Sequence, residues 1–318
     1  MRSHAGIRVR ELWRYPVKSM GGQRVASATI GPRGLHADRL WAVRDLELGG
    51  TTTARRLPIL MQCAARFAEE PSVDAGPGRA VEAIITFPNG QELSTKDPAV
   101  HKTLTDLVGR NVELRPLPAL SDKASYRGPV PTQADLRRQF EIPDDEPLPD
   151  TSMFPLRKLA ELARYATPVG TFADAYPLHL ITTGSLEAMR RIAPQADFDV
   201  RRFRPNVVLE GNGELDWCGG TLTADEAVIS PVIPTLRCSM PVREQPGLDA
   251  QPDVMRAIKS HSDRCLGVYA NVERAGELAE GDVLDYAPGE AAGAAARLGD
   301  RLKRSLVRAG SRAVPRGS

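Results

Sequence analysis

Long apolar runs are the first feature that this sequence lacks. No uninterrupted apolar stretch in the 318 residues approaches the roughly 20 residues of a membrane-spanning helix. The first residues, MRSHAGIRVRELW, also lack the apolar segment of a secretory signal peptide. We therefore expect a cytoplasmic protein without a membrane span.

Cysteine is scarce as well, with four residues in the chain. None forms a C-x-x-C pair and none has a histidine at zinc-finger spacing, which argues against a structural zinc site. Apolar or tight-turn surroundings predict structural roles for Cys63, Cys218 and Cys265. Cys238 directly follows Arg237 after a predicted strand, and a nearby guanidinium favours the thiolate. The local sequence leaves two interpretations of Cys238 open: a half-buried structural thiol, or a thiolate that acts as nucleophile or soft-metal ligand.

Several catalytic motifs are missing too. The chain has no G-x-S-x-G, H-E-x-x-H, Walker or G-x-G-x-x-G sequence, which argues against the hydrolases, zinc metalloproteases, nucleoside triphosphatases and Rossmann-type enzymes that carry them. The net charge is only +2, and from Pro288 onwards seven basic residues stand against two acidic ones. A nucleic-acid-binding protein usually carries a basic patch on its folded part, so we expect no nucleic-acid partner.

Glycine and proline are abundant instead, with 27 and 26 residues. Together with alternating segments such as IRVRELWR, they indicate many short strands joined by turns. Few helices are predicted: one from Pro98 to its stop signal Gly109, a short one at 133–140, one capped by Ser185, and one near 251–261. This pattern favours a β-rich α+β fold with β-barrel-like architecture.

Side chains that suit an anion occur at separate places along the chain. Lys18 and Ser19 precede a glycine pair at the end of a predicted strand, where a turn alone would not need the cation. Arg39 opens a further strand, and Arg204 and Asn206 are two residues apart, hence on the same side of a strand. Arginines are usually solvated, so each place alone is weak support for an anion-binding site.

Taken in order, several stretches resemble a MOSC-domain protein, a family named after the C-terminal domain of molybdenum cofactor sulfurase. The resemblance lies in LWRYPVKSMGG, GLHADRLWAVRD, TTTARR, FADAYPLHLITTGSL, FRPNVVLEG, W-x-G-x-x-L at 217–222, Arg237-Cys238 and GVYANVERAGELAEGD. It covers about residues 7–287. It extends to an N-terminal MOSC β-barrel domain and, among functionally understood relatives, to the mitochondrial amidoxime-reducing component and its bacterial counterparts.

The resemblance implies a molybdenum cofactor of the molybdopterin type. Cys238 would ligate the metal, and Arg237 is a second candidate catalytic residue. The residues implied to bind the cofactor are Lys18, Ser19, Arg39, Thr182, Thr183, Ser185, Arg204 and Asn206. The implied reaction removes oxygen from an N-hydroxylated or other N-oxygenated small-molecule substrate, with electrons from a separate flavin, ferredoxin or heme protein.

The same resemblance implies a domain organisation. An N-terminal MOSC β-barrel-like domain at 7–117 would pack intimately with a MOSC β-barrel domain at 171–287. The intervening segment at 118–170 is rich in proline and acidic residues, and we expect an insertion that either forms a lid or binding loop or is disordered. The basic tail at 288–318 is expected to be disordered.

Two other functions stay open. After Cys238 the sequence SMPVREQPGLDAQPDV departs from the Thr-Thr-Val-Asp-Pro-like run of the reductase relatives, and this segment flanks the implied metal. The first alternative is therefore a sulfur carrier or sulfurtransferase that uses a Cys238 persulfide. The second is a protein that carries or stores the cofactor without turnover.

Overall fold

The computed structural model describes residues 6–289. This part of the chain holds seventeen strands, namely β1 (Ile7–Arg14), β2 (Gln23–Val25), β3 (Ser27–Gly31), β4 (Gly34–Leu35), β5 (Trp41–Asp45), β6 (Gly50–Thr51), β7 (Ala64–Phe67), β8 (Ala83–Thr86), β9 (Glu92–Ser94), β10 (Val112–Pro116), β11 (Leu178–Thr182), β12 (Val207–Leu209), β13 (Thr221–Ala224), β14 (Ala227–Leu236), β15 (Cys265–Arg274), β16 (Gly276–Ala279) and β17 (Val283–Ala287). It also holds five α-helices, namely α1 (Ala99–Val108), α2 (Gln133–Phe140), α3 (Leu156–Arg164), α4 (Thr183–Ile192) and α5 (Pro252–Ser262). The predicted β-rich α+β fold is confirmed. The predicted disorder of the basic tail concerns residues that, from 290 onwards, lie outside the described part.

Seven of the strands form a closed barrel. Their order is β12, β11, β15, β14, β13, β17 and β1, and β1 pairs back onto β12. Closure leaves these strands without a free edge, and their inward side chains fill the interior. Buried residues of this core include Leu12, Leu180, Val268 and Leu284.

The first strand of the chain belongs to this barrel. On β1, Ile7 pairs with Leu284 of β17 and Val9 with Leu209 of β12. Val9 is buried in the barrel core, which fixes the register because a shift of one residue would turn it outward. β3 likewise pairs with β16. The two halves of the chain therefore share sheets, and the residues after β1 and before β12 are held close together.

The remaining strands of the first half surround a second core. β10, β5 and β6 form one three-stranded sheet, and β7, β8 and β9 form another. The helix α1 packs against this core through Val100 and Leu104. It ends, as predicted, at Gly109, whose φ of 67° is the left-handed conformation that favours glycine at this position.

Two helices lie in the 118–170 segment. α2 occupies the predicted range and begins with a capping box between Thr132 and Asp135. α3 is absent from the predictions because it begins after Pro155 without a side-chain cap, so the sequence offers no start signal for it.

The predicted cap of α4 is wrong. Thr182, the last residue of β11, is the N-cap, and its hydroxyl accepts a hydrogen bond from the Ser185 amide at 3.2 Å. Thr182 fills this role because its backbone is still extended, whereas Ser185 already lies within the helix. Among residues 6–289, no helix combines the length and apolar character needed to cross a bilayer.

Candidate functional site

A polar cavity lies where the loop after β1 meets the residues that precede β12 and follow β14. Its volume is about 60 Å³. Seven residues that the sequence predicted for cofactor binding or catalysis line it, namely Lys18, Ser19, Arg39, Arg204, Asn206, Arg237 and Cys238. Both halves of the chain contribute to it, which follows from the shared sheets.

Lys18 is buried in this cavity and is held by two acceptors. Its Nζ donates to the Phe172 carbonyl oxygen at 2.7 Å and to Asp174 Oδ1 at 2.6 Å. Arg55 Nη2 donates to the same carboxylate oxygen at 2.9 Å. Burial lowers the pKa of Lys18 to about 8, against the attraction of Asp174. Partial loss of hydration would raise the pKa of Asp174, whose side chain is 42% exposed, but Lys18 and Arg55 hold this pKa well below its usual range.

Asp38 holds Arg39 at the cavity. Arg39 Nη1 donates to Asp38 Oδ2 at 2.5 Å, and Asn206 Nδ2 donates to the same oxygen at 3.1 Å. The other oxygen, Oδ1, accepts from the Tyr15 amide at 2.8 Å. Asn206 Oδ1 accepts from the His179 amide at 3.2 Å. Asn206 therefore orients Asp38 and the neighbouring strands, and its direct contact with a cofactor stays a prediction.

Arg204 lies over the ring of Tyr15, with 4.2 Å between the guanidinium carbon and the ring centroid. Its Nη1 donates to the Met20 carbonyl oxygen. Its Nη2 is buried and has no hydrogen-bond partner among the described residues. Burial lowers the pKa of Arg204 to about 10, so the side chain stays charged at neutral pH. A buried cationic N–H without an acceptor is a group that a bound anion would satisfy.

Three residues of the cavity have left-handed backbone although none is glycine. The φ angles are 71° for Ser19, 55° for Arg39 and 53° for Arg204. Each such residue costs on the order of 1–3 kcal/mol, and residues of this kind cluster at functional sites. The strain is held in place by contacts such as the hydrogen bond from the Ala54 amide to Ser19 Oγ at 3.0 Å. The concentration of strain here points to a functional cavity.

Arg237 is buried between two acceptors. Its Nη2 donates to the Phe203 carbonyl oxygen at 2.9 Å, and its Nη1 lies 3.3 Å from His179 Nε2. A guanidinium can only donate, so Nε2 accepts and His179 is neutral. Burial and Arg237 both lower the pKa of His179 well below its usual value. Arg237 Nε is buried without a partner among the described residues.

Gly267 on β15 is where the backbone passes His179. Its φ is 78°, and a Cβ there would lie 2.5 Å from His179 Nε2 and 2.6 Å from the Leu180 carbonyl oxygen. We expect Gly267→Ala to lower the free energy of unfolding by about 3 kcal/mol, the left-handed strain plus the clash. At Gly281, φ is 94° and an added Cβ would have no atom within 4 Å, so Gly281→Ala introduces the backbone strain without a clash. We expect it to lower the free energy of unfolding by about 1–2 kcal/mol. If urea unfolding shows the same loss of unfolding free energy for Gly267→Ala and Gly281→Ala, the predicted clash at Gly267 is contradicted.

Two prolines set the path of β14 towards the cavity. Pro231 and Pro234 cannot donate to the sheet, and the register with β15 shifts beside each of them. The strand ends at Leu236, so Arg237 and Cys238 leave the sheet at the cavity.

Cys238 differs from the other cysteines in its surroundings. Burial raises the pKa of the Cys63 thiol to about 12, and those of Cys218 and Cys265 to about 11. These values suit the structural roles predicted for the three. Cys238 is half-buried and, of the four cysteines, it is the one that lines the polar cavity. A half-buried thiol is thus beside the cationic side chains of this cavity.

The structure places three predicted cofactor-binding residues elsewhere. Thr182 Oγ1 and Ser185 Oγ each donate to Glu214 Oε2 at 2.6 Å. The buried Glu214 carboxylate thus occupies the start of α4, where a negative charge is favourable. Neither residue lines the polar cavity, and nor does Thr183. Thr182 and Ser185 have a structural role here.

The sequence did not identify Asp174 or Tyr269 as site residues, and it indicated Arg55 only as part of the TTTARR stretch. Asp174 and Tyr269 line the polar cavity. Burial raises the pKa of Tyr269 to about 12, so its phenol keeps the proton. An acidic residue in the otherwise apolar FADAYP stretch was the available signal for Asp174. The sequence gave no such signal for Tyr269, because the pattern of its strand is that of an ordinary strand.

The lowered pKa of Lys18 predicts a dependence of stability on pH. Between about pH 8 and 10.5 the unfolded chain binds more protons than the folded one, so this group makes the free energy of unfolding rise with pH. Relative to Lys18→Met, we expect a rise of about 2 kcal/mol from pH 8 to about 9.5. Buried tyrosines contribute equally to both proteins and cancel in the difference. Parallel urea-unfolding profiles of the two proteins would contradict the shift.

The donor set of the cavity suits an anionic group that carries its own metal ligands. Four polar atoms of lining residues are buried without a partner among residues 6–289, namely Tyr176 Oη, Arg204 Nη2, Thr235 Oγ1 and Arg237 Nε. In the same range, no three or more His, Cys, Asp and Glu side chains cluster so as to hold a metal ion. A metal at Cys238 would therefore take its remaining ligands from the bound group.

Two domain families match the sequence. Residues 6–105 match the MOSC N-terminal beta barrel domain, and residues 168–285 match the MOSC domain. The chain is a MOSC-domain protein. The family resemblance found in the sequence is thus confirmed, and residues 106–167 fall outside both matches.

Similar solved structures share little sequence with this MOSC-domain protein. YuaD from Bacillus subtilis has 11% identity over 89% of this chain and 96% of its own, with a TM-score of 0.40. YiiM from Geobacillus stearothermophilus has 20% identity over 43% of this chain and 67% of its own, with a TM-score of 0.32. YiiM from Escherichia coli has 13% identity over 37% and 57%, with a TM-score of 0.27. No curated protein matches the chain.

Proposed function

We propose that this MOSC-domain protein uses the side chains of the polar cavity to hold a molybdenum cofactor of the molybdopterin type, and that it acts as an oxidoreductase. One observation carries the proposal: the half-buried thiol of Cys238 shares a cavity with the buried cations Lys18, Arg204 and Arg237. A soft thiolate suits molybdenum, and buried cations suit a phosphate-bearing group. The family to which the chain belongs is named for molybdenum cofactor chemistry, which supports the same assignment.

Different residues of this chain would bind different parts of the cofactor. Lys18, Arg39 and Arg204 would hold the anionic part, with Ser19 beside them. Arg204 Nη2 has no acceptor among the described residues and is available for this purpose. Cys238 would ligate the metal. When bound, the cofactor would supply two-electron redox chemistry at that metal.

The proposed reaction reduces N-hydroxylated or other N-oxygenated small molecules by removing oxygen. Two electrons and two protons convert an N-hydroxyl group into N–H and water, or an N-oxide into the free amine and water. The electrons would come from a separate flavin, ferredoxin or heme protein. Tyr269 lines the cavity and keeps its phenol proton because its pKa is raised to about 12. It can therefore donate a hydrogen bond to the oxygen that leaves.

The same thiol favours a second candidate function, that of a sulfur carrier. Cys238 is half-buried beside Arg237 and could take sulfane sulfur from a cysteine desulfurase as a persulfide. Mass spectrometry of the desulfurase-treated protein distinguishes the two, because a persulfide adds about 32 Da at Cys238.

The test of the main proposal is the molybdenum content of protein purified from a host that makes the cofactor. Near-stoichiometric metal, followed by turnover of N-hydroxylated compounds with one class of electron donor, would establish the activity. Bound metal without turnover by any donor would indicate a cofactor carrier instead.

A further inference from the structure

A second cavity, apolar rather than polar, lies beside the first. Its volume is about 310 Å³, within the range of about 300–1,000 Å³ for pockets that bind small organic molecules. The 118–170 segment supplies much of its wall. The apolar side chains from this segment are Leu136, Phe140, Phe154, Leu159 and Leu162. We call this cavity the apolar pocket.

The apolar pocket borders the polar cavity. Four residues line both, namely Asp174, Leu236, Cys238 and Tyr269. The thiol of Cys238 therefore lies on the boundary between them. A molecule in the apolar pocket can place a polar group beside this thiol.

The helices of the wall do not place their apolar side chains in the core. Neither α2 nor α3 contains a buried residue. Leu159 and Leu162 contact a small cluster around Phe154 and Tyr176, yet both stay partly exposed. Their open apolar surface faces the pocket, where a ligand could cover it.

The part of the wall that α2 forms is nevertheless held in place next to Cys238 by hydrogen bonds. The amide of Ser239, the residue after Cys238, donates to the Gln139 carbonyl oxygen of α2 at 3.0 Å. Arg264 Nη1 donates to the Phe140 carbonyl oxygen at 3.1 Å. Because these bonds tie the end of α2 to the turn that carries Cys238, the pocket keeps its place beside the thiol.

The two arginines of the apolar pocket each donate to a carboxylate, although Arg55 Nε is buried without a partner among the described residues. Arg55 donates to Asp174 at 2.9 Å, and Arg56 donates to Asp135 at 2.7 Å. A charged ligand body would have to compete with these pairs, whereas an uncharged one would not. Thr52 Oγ1 is buried without a partner among the described residues and can contact a polar substituent.

We propose that the apolar pocket binds the uncharged, aromatic body of the substrate and presents its N-oxygenated group to Cys238. The nature of the reacting group rests on the proposed function, whereas the binding of an uncharged aromatic body follows from the pocket. The apolar wall lies within residues 106–167, which neither domain family covers. This segment therefore contributes much of the selectivity, together with pocket residues of both matched domains such as Leu48 and Tyr269.

The test compares two polar substitutions on one helix. Leu159→Gln places an amide in the pocket wall, and Leu156→Gln is the matched control because Leu156 is 52% exposed on α3 and lies outside the pocket. Binding of benzamide and acetamide, the same amide with and without a ring, is measured by NMR titration of the purified proteins. We expect wild type and Leu156→Gln to prefer benzamide at least about tenfold, and Leu159→Gln less than about threefold. The metal-loaded proteins should show the same pattern in kcat/KM for a phenyl and a methyl N-hydroxyamidine.

Four outcomes decide the proposal. A wild-type protein without benzamide preference overturns it, and so does a preference that Leu159→Gln leaves intact. A protein that binds neither amide but forms a dimer that Leu159→Gln dissociates also overturns it, because the pocket would then take a second copy. A protein without molybdenum that still shows the expected pattern of amide binding overturns the proposed function and supports the pocket.

Discussion

Replacing Cys238 with serine is expected to lower the molybdenum content from nearly one atom per chain to less than about a tenth. A serine hydroxyl stays protonated at neutral pH and is a hard donor, so it is a poor substitute for a soft thiolate. The cationic side chains would still be in place, but the metal would lose its one protein ligand. The measurement is elemental mass spectrometry of both proteins, purified side by side from a cofactor-producing host.

Cys218→Ser is the matched control for this experiment. Cys218 is half-buried like Cys238, but it does not line the polar cavity. We expect it to keep the wild-type metal content. Equal molybdenum in all three proteins would show that Cys238 is not a ligand, and equal loss in both variants would show a general effect on folding.

Much of the fold follows from local rules that the sequence displays. The helix α1 ends at Gly109 because a residue with φ of 67° favours glycine, and α2 carries a capping box that fixes its start. The closure of the barrel by β1 is different in kind. Val9 pairs with Leu209 and Ile7 with Leu284, near the other end of the described chain, and pairing across such a distance leaves no local signature.

The site likewise contains residues that the sequence indicated and residues that it did not. Lys18, Arg204 and Cys238 are far apart in the sequence, and only their order within a family pattern indicated that they belong together. Asp174 was missed because an isolated acidic residue has many roles, and its contact with Lys18 exists only in the folded chain. Thr182 was assigned to the cofactor by the family resemblance alone, and in the structure its hydroxyl donates to Glu214.

The pair between Lys18 and Asp174 predicts opposite effects of two substitutions on anion binding. In protein from a host that lacks the cofactor, we expect Lys18→Met to weaken binding of inorganic phosphate at least about tenfold, the worth of one charge-assisted hydrogen bond. Asp174→Asn should strengthen it several-fold, because the carboxylate that competes for Lys18 and Arg55 is gone. The measurement is calorimetric titration at pH 7 and low ionic strength, where screening is weak.

Lys96→Met is the control for the loss of a lysine. Lys96 is an exposed lysine that pairs with Glu82 far from the cavity, so we expect it to leave phosphate affinity unchanged. If Lys18→Met behaves like Lys96→Met, Lys18 does not bind the anion.

The pKa of Lys18, about 8, gives a second and independent test of its contact with the anion. A bound phosphate would stabilise the charged ammonium, so binding above pH 8 should take up protons, and the observed enthalpy should then depend on the ionisation enthalpy of the buffer. Lys18→Met should reduce that dependence, because the variant has no ammonium at this position to take up the proton.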